Sequence, residues 1–153
     1  MSTGASESLR VVLDTNVLIS AFTNRRQGLS SQIWQMAIER RYRLLISPAI
    51  AAEVGDVLRR KFSWEDEPVR QRVKFLVGIA EIVVPKLTLQ VVPEDDDDNR
   101  ILECAIAGHA GLIVSSDRHL RELKSYQGMG IVTPVDFRLI WGGQRTYVKK
   151  PPM

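Results

Sequence analysis

The sequence predicts a protein of the α/β class, built around a parallel β-sheet. Short aliphatic and β-branched runs alternate with longer segments of helical periodicity, which is the pattern of βαβ units. The length of 153 residues fits one domain, and 44% hydrophobic with 25% charged residues is typical of a folded globular chain. In such folds the crossovers are right-handed and ligands bind beyond the carboxyl ends of the strands.

In the first half of the chain, an apolar run ends at Asp14, and the helix that follows is capped by Asp14 or Thr15. Farther on, Ser47 and Pro48 form an N-cap and a first-turn proline, a strong signal for a helix start. The predicted elements are a strand at 9–13, a helix at 30–40, a strand at 43–46 and a helix from 47–48 to about residue 60.

In the second half, Pro85 separates two β-type runs, and Asp117 and Pro134 each open a helix. The predicted elements are a helix at 67–79, strands at 81–84 and 87–92, a helix from 98 to about 109, a strand at 112–115, a short helix, a strand at 131–133 and a last helix. We expect a flexible leader at 1–8, a single domain at 9–148 and a flexible tail at 149–153.

Composition excludes several classes of protein. The single cysteine, Cys104, excludes an internal disulfide and a Cys-x-x-Cys zinc site, and it favours a reducing, cytoplasmic compartment. No apolar run approaches the ~20 residues of a membrane span, and residues 1–8 lack signal-peptide features. The net charge is +3, although five of the 18 acidic residues lie together at 94–98. This segregation indicates a polyanionic partner and a cation, or simply a solvated surface with an acidic loop.

Two aspartates follow predicted strands at the edge where ligands are expected. Asp14 ends the run Val-Val-Leu-Asp, and Asp117 ends Leu-Ile-Val-Ser-Ser-Asp. Each could simply be an N-cap for the following helix. Because the two aspartates follow two different strands, they also indicate a shared binding site.

Helical geometry selects two further acids. At ~100° per residue, Glu53 lies about 60° from Ile50 and so flanks the apolar stripe of its helix. Asp98 projects near the middle of the apolar face that follows it, whereas Asp97 lies at the edge of that face. A solvent-exposed glutamate and a solvated acidic loop are the alternative interpretations. Four ionised carboxylates in one cleft need divalent cations, and oxygen ligands select Mg²⁺ or Mn²⁺. Cys104, His109 and His119 are predicted to be surface or core residues.

The acid-bearing segments resemble the PIN-domain ribonuclease family from about residue 9 to residue 139. They are Val-Val-Leu-Asp-Thr-Asn-Val-Leu-Ile-Ser at 11–20, Ser-Pro-Ala-Ile-Ala-Ala-Glu-Val at 47–54, Asp-Asp-Asn-Arg-Ile-Leu-Glu-Cys-Ala at 97–105 and Ile-Val-Ser-Ser-Asp-Arg-His-Leu at 113–120. Thr-Pro-Val-Asp-Phe at 133–137 is similar to the toxin components of toxin–antitoxin pairs. The resemblance implies a three-layer α/β/α sandwich with a central parallel sheet of about five strands.

The resemblance also implies Mg²⁺- or Mn²⁺-dependent hydrolysis of RNA phosphodiester bonds. Its four acids match Asp14, Glu53, Asp98 and Asp117, and its supporting polar residues match Asn16 and Ser115. We expect one ion to bridge Asp14 and Asp98, with Asp117 supporting it, and Glu53 to hold a second ion or orient the attacking water. The candidates for phosphate binding are Arg25, Arg26 and Arg118, followed by Arg59, Arg60, Lys61 and Arg121.

The expected partners are single-stranded or structured RNA, a small antitoxin protein and a second copy of the chain, with no membrane. A homodimer interface around Trp34 and Trp64 is one hypothesis. Two alternatives to a toxin stay open at this point. One is a non-catalytic PIN-like module for RNA binding or assembly, and the other is a housekeeping RNA-processing or DNA-flap nuclease.

Overall fold

Six strands form one sheet in the computed structural model, which describes residues 8–24, 28–92 and 96–142. The strands are β1 Arg10–Leu13, β2 Arg43–Ile46, β3 Glu81–Ile82, β4 Leu112–Val114, β5 Ser125–Tyr126 and β6 Met129–Val132. Their order in the sheet is β3-β2-β1-β4-β6-β5, and every neighbouring pair is parallel except β5 with β6. The α/β class with a central, mostly parallel sheet is therefore confirmed.

Helices connect these strands, and their ends follow the signals in the sequence. Ser47 Oγ accepts a hydrogen bond from the Ile50 amide at 3.2 Å, and Pro48 occupies the first turn, as predicted. The helices are α1 Thr15–Thr23, α2 Leu29–Ile38, α3 Pro48–Phe62, α4 Asp66–Ile79, α5 Asp96–Ala107, α6 Arg118–Leu123 and α7 Pro134–Phe137, which continues into a π-helical turn at Arg138–Gly142. None of the helices within the described ranges is long and apolar enough to cross a membrane.

The order in which the chain adds strands to the sheet reverses beside β1. The connections from β1 to β2 and from β2 to β3 run toward one edge, and the connection through α5 returns the chain to β4 on the other side of β1. Because such crossovers are right-handed, the two sets of connections lie on opposite faces of the sheet. The carboxyl ends of β1 and β4 therefore enclose the crevice where α/β proteins bind ligands.

The predicted strand at 87–92 is wrong, because side chains of α5 hold this segment instead of a neighbouring strand. The Asn99 side chain accepts a hydrogen bond from the Val92 amide and donates one to its carbonyl, both at 2.7 Å. Glu103 Oε2 accepts from the Leu89 amide at 2.7 Å, and Arg100 donates to the Leu89 carbonyl at 3.1 Å. Backbone groups that would pair in a sheet are thus satisfied by a helix surface.

Two further expectations need correction or stay open. The sequence did not predict β5, which adds an antiparallel edge strand. Trp34 is only 7% exposed and packs edge-on against Phe22 and Phe75, so it belongs to the core rather than to an exposed interface. The predicted leader, apart from Ser8, and the tail at 149–153 lie outside the described residues, and the domain limits stay predictions.

Candidate active site

Asp14 lies at the carboxyl end of β1, directly beside β4. Its backbone amide donates to the Val114 carbonyl at 2.9 Å, which continues the pairing of the two strands. The residue is 5% exposed, and its Oδ2 accepts a 2.6 Å hydrogen bond from the Ser115 hydroxyl. Burial, together with the negative charge of Asp117, raises the pKa of Asp14 to about 6 against the pull of the Ser115 hydrogen bond. The carboxyl group is therefore held in a cleft that disfavours its charge.

Ser115 links the two strand-end aspartates. Its hydroxyl donates to Asp14 and accepts a 2.9 Å hydrogen bond from the Asp117 backbone amide. The side chain is fully buried, so this geometry is fixed on both sides. The chain after β4 is consequently placed with Asp117 facing the same crevice as Asp14.

Asp117 caps α6, as the alternative interpretation of this residue predicted. Its Oδ1 accepts from the His119 amide at 2.8 Å and from the Leu120 amide at 3.4 Å. The cap and a ligand role are compatible, because a carboxylate has a second oxygen and several lone pairs. The cap also fixes the orientation of the carboxylate, because hydrogen bonds from surrounding groups hold the side chains that bind a metal in place.

Asp98 enters the crevice from the first turn of α5 and is 3% exposed, in agreement with the helical-face prediction. Its Oδ2 lies 4.0 Å from Nδ1 of His119, and the same nitrogen lies 3.7 Å from Oδ1 of Asp117. One potential ligand atom from each of these three residues lies within 4.8 Å of the other two. His119, predicted from the sequence to be a surface or core residue, thus belongs to this group. The short Asp-x-His spacing at 117–119 was the only signal available for it.

Glu53 lies in α3 and is half-buried beside Asp97. Partial burial and then the nearby Asp97 carboxyl, to which Glu53 is hydrogen-bonded, raise the pKa of Glu53, and Arg60 opposes this rise. Asp97 itself is exposed. Among the described residues of the acidic run, Asp98 is buried in the crevice with Asp117, and the exposed Asp97 lies against Glu53.

The remaining predicted site residues have less defined roles. Asn16 is exposed in the first turn of α1, and the exposed Arg118 lies 3.8 Å from Glu122. Arg25 and Arg26 lie outside the described residues. The secondary phosphate-binding candidates are all exposed: Arg59 pairs with Asp66 at 3.0 Å, Arg60 pairs with Asp56 at 2.7 Å, and Lys61 and Arg121 lie on the surface.

The donor set fits a divalent cation. Two aspartate oxygens and an imidazole nitrogen lie close enough to surround one ion, and Asp14 adds negative charge from the adjoining strand. Carboxylates crowded in this way repel one another until a cation neutralises them. A cation held here would face solvent through Asp117 and His119, which are both partly exposed.

A family model described as PIN domain matches residues 10–119, a stretch that includes all the residues of this crevice. One relative is uncharacterized protein MJ1680 of Methanocaldococcus jannaschii, 28% identical over 120 residues that cover 76% of each chain. Among solved structures, the Rickettsia felis VapBC2 complex bound to a promoter DNA fragment aligns with a TM-score of 0.59 at 17% identity, covering 82% of this chain and 98% of that one.

Two other solved structures have similar folds. PAE2754 of Pyrobaculum aerophilum aligns with a TM-score of 0.59 at 16% identity, over 94% of this chain and 95% of that one. VapBC-1 of nontypeable Haemophilus influenzae aligns with a TM-score of 0.57 at 15% identity, over 83% and 99%. At these identities the three structures establish a shared fold.

Proposed function

Since this chain belongs to the PIN domain family, a family of nucleases, we propose that it is a divalent-metal-dependent endoribonuclease and the toxin of a toxin–antitoxin pair. Family membership supports phosphodiester hydrolysis at the general level. The metal, the RNA substrate and the toxin role are the parts that we propose. The expected metal is Mg²⁺ or Mn²⁺, because most of the donor atoms are carboxylate oxygens.

The observation that carries the proposal is the convergence of carboxylates at the point where the strand order reverses. Asp14 follows β1, Asp117 follows β4, and Asp98 reaches the same crevice from the opposite connection of the fold. All three are partly or fully withdrawn from water, and the pKa of Asp14 is raised by burial. Buried carboxylates that repel one another destabilise the fold, and such groupings are typical of functional sites.

The side chains have separable tasks in this proposal. Asp98 and Asp117 would hold the cation directly, and Asp14 would complete its negative environment while Ser115 fixes the orientation of the Asp14 carboxylate. When bound, the cation would neutralise the scissile phosphate and lower the pKa of a water that attacks phosphorus. Glu53, whose pKa is raised by partial burial and by the Asp97 carboxyl to which it is hydrogen-bonded, would serve as a proton acceptor in the reaction.

Arginines around the crevice would carry the nucleic acid. Arg118 begins α6 next to Asp117, and Arg60 lies close enough to lower the pKa of Glu53. Both are exposed, so they can contact phosphates without entering the metal site. The predicted roles of Arg25 and Arg26 remain part of this proposal.

The toxin role rests on fold and family. Two of the similar structures are VapBC complexes, and a small antitoxin would neutralise this chain by covering the crevice. A homodimer and a cytoplasmic location are the further expectations. A housekeeping nuclease would share the site but would not need a cognate inhibitor.

Cleavage of end-labelled single-stranded RNA by the purified chain tests the enzymatic part. We expect cleavage with Mg²⁺ or Mn²⁺ and none with EDTA. Asp14→Asn should not cleave, whereas Asp136→Asn, at an exposed aspartate of α7, should cleave like the wild type. Both variants should retain RNA binding, which depends on Lys and Arg. A wild-type chain that binds RNA and never cuts it would favour the non-catalytic module.

Controlled expression in bacteria tests the toxin part. Induction of the wild-type chain should arrest growth, and induction of Asp14→Asn should not. Co-expression of a small protein encoded by the neighbouring gene should restore growth, and the two proteins should co-purify. Active ribonuclease that leaves growth unaffected would instead favour the housekeeping nuclease.

A further inference from the structure

His119 lies inside the candidate metal site, although no part of the proposed function uses it. His119 lies in the first turn of α6, and its backbone amide donates a hydrogen bond to Asp117 Oδ1 at 2.8 Å. This hydrogen bond fixes the backbone next to the carboxylate that the ring faces. Nδ1 is then 3.7 Å from Asp117 Oδ1 and 4.0 Å from Asp98 Oδ2. The ring thus contacts both aspartates that come from separate elements of the fold.

These separations match donors that share one ion. Two ligand atoms held ~2.1 Å from the same cation lie between about 3 and 4.2 Å apart, depending on the angle between them. Both distances from Nδ1 fall in that interval, and Asp98, Asp117 and His119 each offer one ligand atom that lies within 4.8 Å of the other two. A shift of a few tenths of an ångström would therefore close the group around a cation. The His119 side chain is 33% exposed, which leaves a path for the ion to enter.

We propose that Nδ1 of His119 is a direct ligand of the cation, together with Asp98 and Asp117, and that the site therefore selects Mn²⁺ over Mg²⁺. This inference rests on the proposed metal-dependent function and gives that site a metal preference. Mg²⁺ binds oxygen ligands almost exclusively and dehydrates reluctantly, whereas transition-metal dications accept imidazole nitrogen. One nitrogen among carboxylate oxygens consequently favours Mn²⁺.

Electron spin echo envelope modulation on the full chain loaded with Mn²⁺ tests the ligand directly. A coordinated imidazole nitrogen modulates the Mn²⁺ echo, so we expect a ¹⁴N signal from the wild type. His119→Asp, which replaces the nitrogen by oxygen, should bind Mn²⁺ without that signal. His109→Asn is the matched control, because His109 is the other histidine of the chain and lines a separate cavity with Gln127 and Gly128. Asparagine also tolerates the backbone φ of 54° at position 109.

Calorimetric titration with Mn²⁺ or Mg²⁺ alone measures the preference. His119→Asn should weaken Mn²⁺ binding by ~10–100-fold, the usual effect of disturbing a metal's ligand environment. Mg²⁺ binding should change much less, so the ratio of the two affinities should fall. His109→Asn should leave both affinities unchanged, and circular dichroism would verify that each variant is folded.

The outcomes separate this inference from the proposed function. Mn²⁺ that binds at the aspartates with no ¹⁴N signal, and with the same Mn²⁺-to-Mg²⁺ ratio in His119→Asn, would overturn the His119 assignment and leave the nuclease proposal standing. A wild-type chain that binds neither ion at saturating concentration would overturn both. A ¹⁴N signal that persists in His119→Asp and disappears in His109→Asn would identify His109 as the ligand and overturn the His119 assignment.

Discussion

Replacing Asp14 by asparagine should stabilise the protein when no metal is present. Asp14 is 5% exposed, and burial together with the charge of Asp117 raises its pKa from 3.8 to about 6. At neutral pH the folded protein must therefore keep this carboxylate ionised in an environment that disfavours the charge. Asparagine has nearly the same shape and carries no charge, and its Oδ1 can still accept the Ser115 hydrogen bond.

The size of the effect follows from the pKa. The change from 3.8 to about 6 corresponds to a loss of ~3 kcal/mol once the carboxyl group is ionised. The asparagine amide adds N–H donors to a buried site, which offsets ~1 kcal/mol of the gain. We therefore expect Asp14→Asn to raise the free energy of unfolding by ~2 kcal/mol at pH 7.5.

The pH dependence has a definite sign. A raised carboxyl pKa means that the contribution of neutral Asp14 to stability is fully present below about pH 4 and is lost as the pH rises through about 6. The advantage of Asp14→Asn should therefore widen by ~1 kcal/mol between pH 5 and pH 7.5. The raised pKa of Glu53 affects both proteins alike, so it cancels in this difference.

Urea unfolding in EDTA at pH 5 and pH 7.5 measures these quantities for the wild type, Asp14→Asn and the exposed-site control Asp136→Asn. The control should match the wild type at both pH values. If Asp14→Asn is less stable than the wild type at pH 7.5, or if their difference does not change with pH, the surroundings of Asp14 do not destabilise its ionised form. The electrostatic description of the crevice would then be wrong.

Three further predictions concern Asp98, Asn99 and Ser115. Asp98→Asn should lose most of the rise in melting temperature that saturating Mn²⁺ gives the wild type, whereas Asp97→Asn should keep it. The reverse result would show that Asp97, and not Asp98, is the metal-binding acid of this segment. Asn99→Ala should lower the free energy of unfolding, measured in urea, by ~2–4 kcal/mol, because it removes two 2.7 Å hydrogen bonds to Val92. A loss below about 0.5 kcal/mol would show that Asn99 does not hold the segment at 87–92 in place. Ser115→Ala should weaken Mn²⁺ binding by ~10–100-fold in calorimetry, because it frees the Asp14 carboxylate, and unchanged affinity would dismiss that positioning role.

The positions of Asp14, Asp98 and Asp117 could be predicted because each follows from a local rule. An apolar run that stops at an acid marks the carboxyl end of a buried strand, as at Asp14 and Asp117. Helical periodicity places Asp98 on the same face as Ile101 and Leu102, and all three are buried. The start of α3 could likewise be predicted from two adjacent residues, the N-cap Ser47 and the first-turn Pro48.

The features that the sequence did not predict depend on contacts between distant segments. The run at 87–92 has strand-like residues, and the side chains of Asn99, Arg100 and Glu103 decide that its backbone pairs with a helix. The strand β5 has two residues, too few for a periodic signal. His119 lies near Asp98 because α6 packs close to the first turn of α5. Asp97 contacts Glu53, which belongs to α3. Both contacts join separate elements, so helical periodicity within one element does not indicate either of them.

A crystal grown with Mn²⁺ and measured at the manganese absorption edge tests most directly whether the carboxylates form one metal site. We expect an anomalous peak within ~2.5 Å of oxygens of both Asp98 and Asp117, on the side of the crevice that Asp14 faces. Saturating Mn²⁺ that gives no peak at the carboxyl ends of β1 and β4, or a peak only elsewhere on the surface, would contradict a metal-dependent active site at this position.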